Sequence, residues 1–278
     1  MKLHVLGSGT GTPNPRRAAS SILVELAGFR LLLDCGPAAL NRLTRMGLDY
    51  RSLDAIFISH FHLDHTLDLW AFLFAAAYPD FKKPRPVLIF APQGFDRLWR
   101  NLKAAYGPEV DPPAEAVQAL FLDQTRPGER VESPFLPGLG VFASPVAHRP
   151  ESLAFRLEAQ GLRLVYSGDT GWTDGLVEFC RGVDWLILEA TRPDSDPVGG
   201  HLTPSQAGRM ARLTGARRLL LTHLSAKHGA SDPALAARTE FDGYVVAAAD
   251  GLVLDLGDDG TVTKSSTDGD RPAPSACH

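Results

Sequence analysis

Six consecutive positions, His60-Phe61-His62-Leu63-Asp64-His65, carry three imidazoles and a carboxylate directly after Ser59 and the apolar run Ala55-Ile56-Phe57-Ile58. Imidazole nitrogen and carboxylate oxygen at this density suit a divalent metal, zinc first, with manganese or iron also compatible. If the backbone stays extended through His60 and His62, side chains two apart point the same way and both rings reach one ion. Asp64 and His65 then turn the other way. Such a split suits two neighbouring ions, one on His60 and His62, the other on Asp64 and His65. The plain alternative is a solvated, histidine-rich turn, which needs neither a carboxylate among its histidines nor a strand in front.

The elements around this stretch read in order as alternating strands and helices. A strand at 3–6 runs into Gly7-Ser8-Gly9-Thr10-Gly11-Thr12, but Thr12 stands where a dinucleotide-binding fingerprint needs its third glycine, and Pro13-Asn14-Pro15 blocks the helix start. A tight turn bringing backbone amides and Arg16 or Arg17 near an anion fits better. Strands at 21–26 and 30–34 form a hairpin ending at Asp34, which on the residues alone reads as the N-cap of a helix over 37–46. Residues 66–78 form a very apolar helix, expected between two layers, with an apolar wall beside the metals as the alternative. A strand at 87–90, a helix at 94–106 and edge strands at 116–122 and 129–132 follow.

The second half repeats the pattern. A strand at 141–148 ends in His148. A hairpin of 152–158 and 162–167 about Gln160-Gly161 runs into Ser167-Gly168-Asp169-Thr170. A helix at 172–180 and a strand at 185–189 precede His201-Leu202-Thr203, where Thr203 and Pro204 are the N-cap and first position of a helix to 213. A strand at 217–221 ends in Thr222-His223-Leu224-Ser225, with Lys227 and His228 expected in solvent. A helix at 232–240 and a closing hairpin of 244–248 and 251–256 complete the pattern.

At 278 residues, 44% apolar and 22% charged, the chain supports one large domain, assigned to 1–256, with 257–278 expected as a disordered tail. A net charge of −4 argues against a nucleic-acid backbone as main partner. Cys35, Cys180 and Cys277 are too scattered for a disulfide framework, and Cys35 reads as a small buried residue. No signal-peptide core or membrane-length apolar run is present, so the expected location is the cytoplasm, without a membrane partner.

Taken in order, Asp34, His-x-His-x-Asp-His at 60–65, His148, Ser-Gly-Asp-Thr at 167–170 and His223 resemble the motifs of the metallo-β-lactamase superfamily. His201-Leu202-Thr203 resembles the His-x-Thr of its ribonuclease Z-like subgroup. The resemblance implies an α/β fold, a four-layer αβ/βα sandwich with two divalent ions at one edge. It implies that His60, His62 and His148 hold one ion and Asp64, His65 and His223 the other, with Asp169 bridging and Asp34 supporting from behind. Asp64 and His201 are the candidate catalytic residues, and Arg16, Arg17, Thr203 and Ser225 the candidate phosphate contacts. The implied chemistry is in-line attack of an activated water on phosphorus, with His201 stabilising or protonating the leaving oxygen.

Ribonuclease Z enzymes clamp tRNA with an arm between the third-motif histidine and Ser-Gly-Asp-Thr. Here only a compact hairpin joins His148 to Asp169. The substrate expected is therefore a small or cyclic phosphodiester or a short nucleotide, with tRNA 3′ processing second. Hydrolysis of a lactone, thioester or sulfate ester, and a non-catalytic metal-binding module, are the remaining alternatives. Family members are often homodimers, and Trp70 and Phe74 offer apolar surface for such a contact.

Overall fold

The computed structural model describes residues 1–123 and 126–257, together with the backbone of Val262–Lys264. Strands that are apolar at both odd and even positions must be covered on both faces. The chain meets that demand with two stacked sheets between two helical layers. Six strands build the first sheet: β1 (Lys2–Gly7), β2 (Ser21–Leu26), β3 (Phe29–Leu33), β4 (Ala55–Phe57), β5 (Val87–Pro92) and β6 (Val117–Leu122). The second takes β7 (Arg130–Val131), β8 (Gly140–Pro145), β9 (Leu153–Ala159), β10 (Leu162–Tyr166), β11 (Trp185–Glu189), β12 (Arg218–Thr222) and β13 (Tyr244–Ala247). The chain then returns to the first sheet with β14 (Leu252–Asp255) and β15 (Val262–Lys264). The spatial orders are β15-β14-β1-β2-β3-β4-β5-β6 and β13-β12-β11-β10-β9-β8-β7.

Between the sheets, Ile22, Val24, Phe57 and Phe90 meet Phe155, Leu164, Trp185 and Ile187. The Phe57 ring stacks on Phe90 at 4.7 Å between centroids and meets Phe155 edge-on at 5.3 Å. The alternate residues Leu23, Leu32, Ile56 and Ile89 face outwards onto α1 (Ala39–Arg45), α2 (Leu63–Ala76) and α3 (Phe95–Tyr106). Val165, Leu186, Leu188 and Leu219 likewise face α4 (Asp174–Phe179), α5 (Pro204–Thr214) and α6 (Pro233–Arg238). This is the expected αβ/βα sandwich. Strands β3 to β6 run parallel, as do β10 to β13, so their carboxyl ends share an edge within each sheet. Crevices of this kind, beyond the carboxyl ends of parallel strands, are where α/β folds collect functional side chains.

Several local expectations change. Strand β4 stops at Phe57, and His62 is the extended N-cap of a helix that begins at Leu63 rather than 66. Asp64 and His65 therefore sit in the first turn of α2, where a carboxylate suits the partial positive charge of the helix start. Helix α2 is an outer-layer helix, not one between two layers: Leu69, Phe72 and Leu73 are buried while Leu63, Leu67 and Phe74 are exposed. Trp70, expected at a dimer contact, is buried and stacks on Phe95. Asp34 caps no helix; Ala38 stands at the N-cap of α1 without a side-chain bond.

The segments at 244–256 do not form a hairpin. Strand β13 pairs parallel with β12 in one sheet and β14 antiparallel with β1 in the other, so residues 248–251 cross between sheets. Period-two alternation marks both strands and says nothing of their partners. Of the expected tail, Val262–Lys264 pairs with β14. Residues 258–261 and 265–278, including Cys277 and His278, lie outside the described residues. Among the described residues no helix is long and apolar enough to cross a membrane.

The first turn of α2 is docked from below. Cys35 N–H donates to the His65 carbonyl at 2.8 Å and Asp68 N–H to the Cys35 carbonyl at 3.0 Å. A Cβ on Gly36 would lie 2.1 Å from the Asp64 carbonyl oxygen, backbone against backbone. Gly36→Ala must therefore displace the turn that carries Asp64 and His65, at a cost of about 1–3 kcal/mol. A thermal melt should show Tm lowered by several degrees.

Candidate metal centre

Strand ends from both sheets deliver the side chains. Asp34 follows β3, His60 follows β4, His148 follows β8, Asp169 follows β10, Glu189 ends β11 and His223 follows β12. Asp34 (φ 56°) and His223 (φ 54°) occupy the left-handed region, which costs a residue with a Cβ about 1–2 kcal/mol. Gly168 (φ 56°) turns the chain where a Cβ would lie 2.6 Å from that of Ser59. The glycine thus lets the Asp169 loop of the second sheet close onto the His60 loop of the first.

The predicted ligands converge in two groups. In one, His60 Nε2 and His148 Nε2 lie 3.0 and 3.2 Å from His62 Nδ1, and 3.8 and 3.7 Å from Asp169 Oδ2. In the other, His223 Nε2 lies 3.4 Å from both Asp64 Oδ2 and Asp169 Oδ1, and His65 Nε2 lies 3.7 and 3.4 Å from the same two oxygens. Donors about 2.0–2.2 Å from a tetrahedral ion stand roughly 3.3–3.6 Å from one another, so both groups have the dimensions of a cradle for one ion. Asp169 offers one oxygen to each. His65 Nε2 and Asp169 Oδ1 are buried and have no hydrogen-bond partner, an arrangement that is costly unless a cation takes those lone pairs.

The electrostatics agree with that fit. Burial, reinforced by His65, drives the His60 pKa down to about 2, leaving a neutral ring with a free lone pair. Burial opposes charge on His65 as well, yet the Asp169 and Asp34 carboxylates outweigh it and raise its pKa well above the usual histidine range. Burial would raise Asp169, but His223 and His65 overcome it and hold the carboxyl well below its ordinary value. The corner between His65 and Asp169 favours positive charge.

Behind the donors lie two buried carboxylates. Asp34 accepts from Ser59 N–H and Ser59 Oγ at 2.8 Å, from His65 Nδ1 at 2.6 Å and from Tyr166 OH at 2.6 Å. Because the Ser59 hydroxyl donates to Asp34, it must accept from His60 Nδ1, 3.0 Å away. Glu189 mirrors this in the second sheet. It accepts from Thr170 N–H at 2.8 Å, His201 Nδ1 at 2.7 Å, and the Thr191 hydroxyl at 2.5 Å. That hydroxyl therefore accepts from His223 Nδ1 at 2.8 Å. The His148 Nδ1–H donates to the Gly200 carbonyl at 3.0 Å. In the neutral rings the protons of His60, His65, His148 and His223 thus sit on Nδ1, with each Nε2 lone pair facing inwards.

Sequence reasoning located Asp34 but missed Ser59, Tyr166, Glu189 and Thr191. For Glu189 a signal existed: a carboxylate closing the apolar strand Trp185–Glu189. His201, half-buried, has its ring 4.9 Å from that of His148 and 6.0 Å from that of His223. Burial lowers its pKa, but Glu189 more than compensates and the net shift is upward.

Among the candidate phosphate contacts, Thr203 is buried and caps α5 in a reciprocal box with Gln206. Arg17 donates to Ser8 Oγ at 2.7 Å and to the Ala248 carbonyl at 2.6 Å, tying the glycine loop to the crossing between sheets. Arg16, Arg17 and Ser225 line one cleft of about 330 Å³. The Ser225 hydroxyl donates to the Thr191 carbonyl at 2.6 Å. His228, expected in solvent, is buried and bonds the Ala190 carbonyl at 2.7 Å, because the loop folds back over β11; Lys227 stays exposed beside Asp196.

With fold and donor geometry in hand, the chain was compared with known proteins. The profile of the Beta-lactamase superfamily domain matches residues 29–224. The chain belongs to that superfamily. It is 34% identical to an uncharacterized protein of Mycobacterium leprae over 92% of this chain and 89% of that one. It is 28% identical to ribonuclease Z of Myxococcus xanthus over 92% of this chain and 98% of the other. That alignment runs 306 positions, longer than this chain, so some of the ribonuclease's residues have no counterpart here. The metallo-β-lactamase fold protein YhfI of Bacillus subtilis superposes with a TM-score of 0.77 at 26% identity, covering 91% of this chain and 99% of that one. A diphosphatase of the PhnP family superposes at 0.69 and 25% identity, covering 91% and 97%. Membership of this superfamily implies divalent metal binding, and the donor cluster fits it.

Glu189 accepts on both oxygens, so the amide of Glu189→Gln must turn a donor towards one group that already donates. Leaving such a buried mismatch costs about 1–3 kcal/mol. Denaturant unfolding of Glu189→Gln should show a lower midpoint at unchanged slope.

Proposed function

We propose that this protein is a dinuclear metal-dependent phosphodiesterase acting on small or cyclic phosphodiesters or short nucleotides. His60, His62 and His148 hold one ion, Asp64, His65 and His223 the other, and Asp169 serves both. The N/O donor set favours zinc, with manganese or iron as the alternatives. Two bound cations supply Lewis acidity towards phosphoryl oxygens and acidify water near neutral pH.

His201 carries the choice of phosphodiester. Its Nδ1–H donates to Glu189 at 2.7 Å, which fixes the ring beside His148; Glu189 also shifts its pKa upwards, and in the protonated ring Nε2–H is a second donor beside the ion cradles. A positioned acid there protonates the leaving oxygen as its bond to phosphorus breaks. Asp64 lies at the rim of the same cradle, where a Cβ on Gly11 would lie 3.0 Å from its carboxylate; the glycine loop thus backs the substrate edge of the site. The β9–β10 hairpin turns at Gln160-Gly161, both at positive φ, without room for an inserted arm. Together with the net charge of −4, this favours a small substrate over tRNA. The likeness to a ribonuclease Z across nearly its whole length keeps tRNA 3′ processing as the second reading. Two free, buried cysteines suit a reducing cytoplasm.

His201→Ala should lower kcat on a phosphodiester by about 10²–10⁴-fold while metal content, read by elemental analysis, stays at the wild-type level. Wild-type turnover in this variant would remove His201 from the reaction. Asp169→Asn, by contrast, should lose bound metal before it loses fold.

A further inference from the structure

Beside His201 the chain builds a cleft of about 400 Å³, lined by Trp172, Val198, Gly200, His201 and Gln206. Trp172 is only partly buried: it packs against the second-sheet core, the Arg209 guanidinium lies 5.4 Å from its ring centroid, and its Nε1–H donates to Asp174 at 3.3 Å. Val198 stands 46% exposed on an otherwise acidic and glycine-rich loop. The Gln206 side-chain oxygen accepts from Thr203 N–H at 3.0 Å, so its amide NH₂ remains to donate and has no protein partner among the described residues. A fixed aromatic face, an apolar rim and a spare donor are complementary to a ring with a π-face and acceptor atoms on its edge. The opposite side of the His148 loop is chemically different. There Phe61, His62, Arg97 and Arg149 line a separate cleft, with two guanidinium groups and no tryptophan.

We infer, resting on the hydrolase reading above, that this cleft is the leaving-group subsite and receives the nucleobase of a departing nucleoside, stacked on Trp172 and contacted by Gln206. Water oxygen adds to phosphorus, the bond from phosphorus to the nucleoside oxygen breaks, and that oxygen takes the His201 Nε2 proton. The attacking water gives up the proton that restores His201. The cleft's volume admits a mononucleoside, since ligand sites begin near about 300 Å³.

Two esters with the same retained group separate the possibilities: adenylyl-(3′→5′)-adenosine and the methyl ester of adenosine 3′-monophosphate, assayed on metal-loaded protein with products resolved by chromatography. The wild type should favour the adenosine leaving group in kcat/KM on the order of 10-fold or more, the worth of one base–aromatic stack. Trp172→Ala should bring that ratio close to one, and Trp172→Phe should restore most of it, which a purely structural role would not do. Gln206→Glu keeps the capping oxygen and should also reduce the ratio. Equal kcat/KM for the two esters in the wild type, or a ratio unmoved by Trp172→Ala, overturns the subsite. Hydrolysis of neither ester overturns the hydrolase reading instead. In that case the leaving-group role falls with the hydrolase reading, and adenosine binding by calorimetry decides whether the cleft is a nucleobase site: binding lost in Trp172→Ala upholds that part, and no binding to the wild type ends it.

Discussion

Two buried carboxylates hold this molecule together at the place where its two sheets meet. Asp34, from the first sheet, takes a hydrogen bond from Tyr166 at the end of a second-sheet strand, as well as from Ser59 and His65. An ionised carboxylate out of water is tolerated only when its oxygens are fully engaged. Here the donors come from three separate segments, so engagement requires that the sheets approach in one register. Glu189 imposes a like condition within the second-sheet half, where its donors come from Thr170, Thr191 and His201. The polar network therefore specifies the edge as strictly as the phenylalanine cluster specifies the core, and satisfied networks of this kind have that effect generally.

The same bonds determine what the inner surface presents. A histidine has two ring nitrogens, and whichever one a neighbour's acceptor engages is the one that keeps the proton. Ser59 and Thr191 pass their own protons to Asp34 and Glu189 and so are forced to accept from His60 and His223. The result is an array of ring nitrogens gathered around the two oxygens of Asp169, in which His65 Nε2 and Asp169 Oδ1 have no hydrogen-bond partner among the described residues. In a metal-free chain that array is a standing electrostatic cost. It is offset by the large apolar layers on either side and becomes favourable when divalent cations are bound.

Backbone strain follows the same logic. The non-glycine residues Asp34 and His223 are held at positive φ directly after the last paired residues of β3 and β12. Each turns its side chain from the line of the strand into the crevice, and pairing with a neighbouring strand on both sides keeps the strand ends from relaxing. The stiffness of the sheets thus supplies the positioning, while the loops 171–172 and 197–201 beside His201 carry the variety of side chains that a substrate would meet.

What the linear order of residues determined was the identity of the donors and the alternation of strands and helices. The crowding of three histidines and an aspartate into 60–65, the phrase at 167–170 and the histidines at 148, 201 and 223 stand out because such residues are rare at the ends of apolar runs. The capping box of α5 was legible for the same reason: it is local, and Thr203, Pro204 and Gln206 interact across a single turn. Whatever depended on contacts between distant segments was decided only by the tertiary structure. Helix α2 starts early because Cys35 and Gly36 dock its first turn; β13 and β14 part because each finds a better neighbour in a different sheet; His228 is buried because its loop folds onto β11. Glu189 looked like the polar end of a strand until packing brought Thr191, Thr170 and His201 around it. Hydrogen-bond satisfaction is a property of the assembled interior, and no spacing along the chain encodes it.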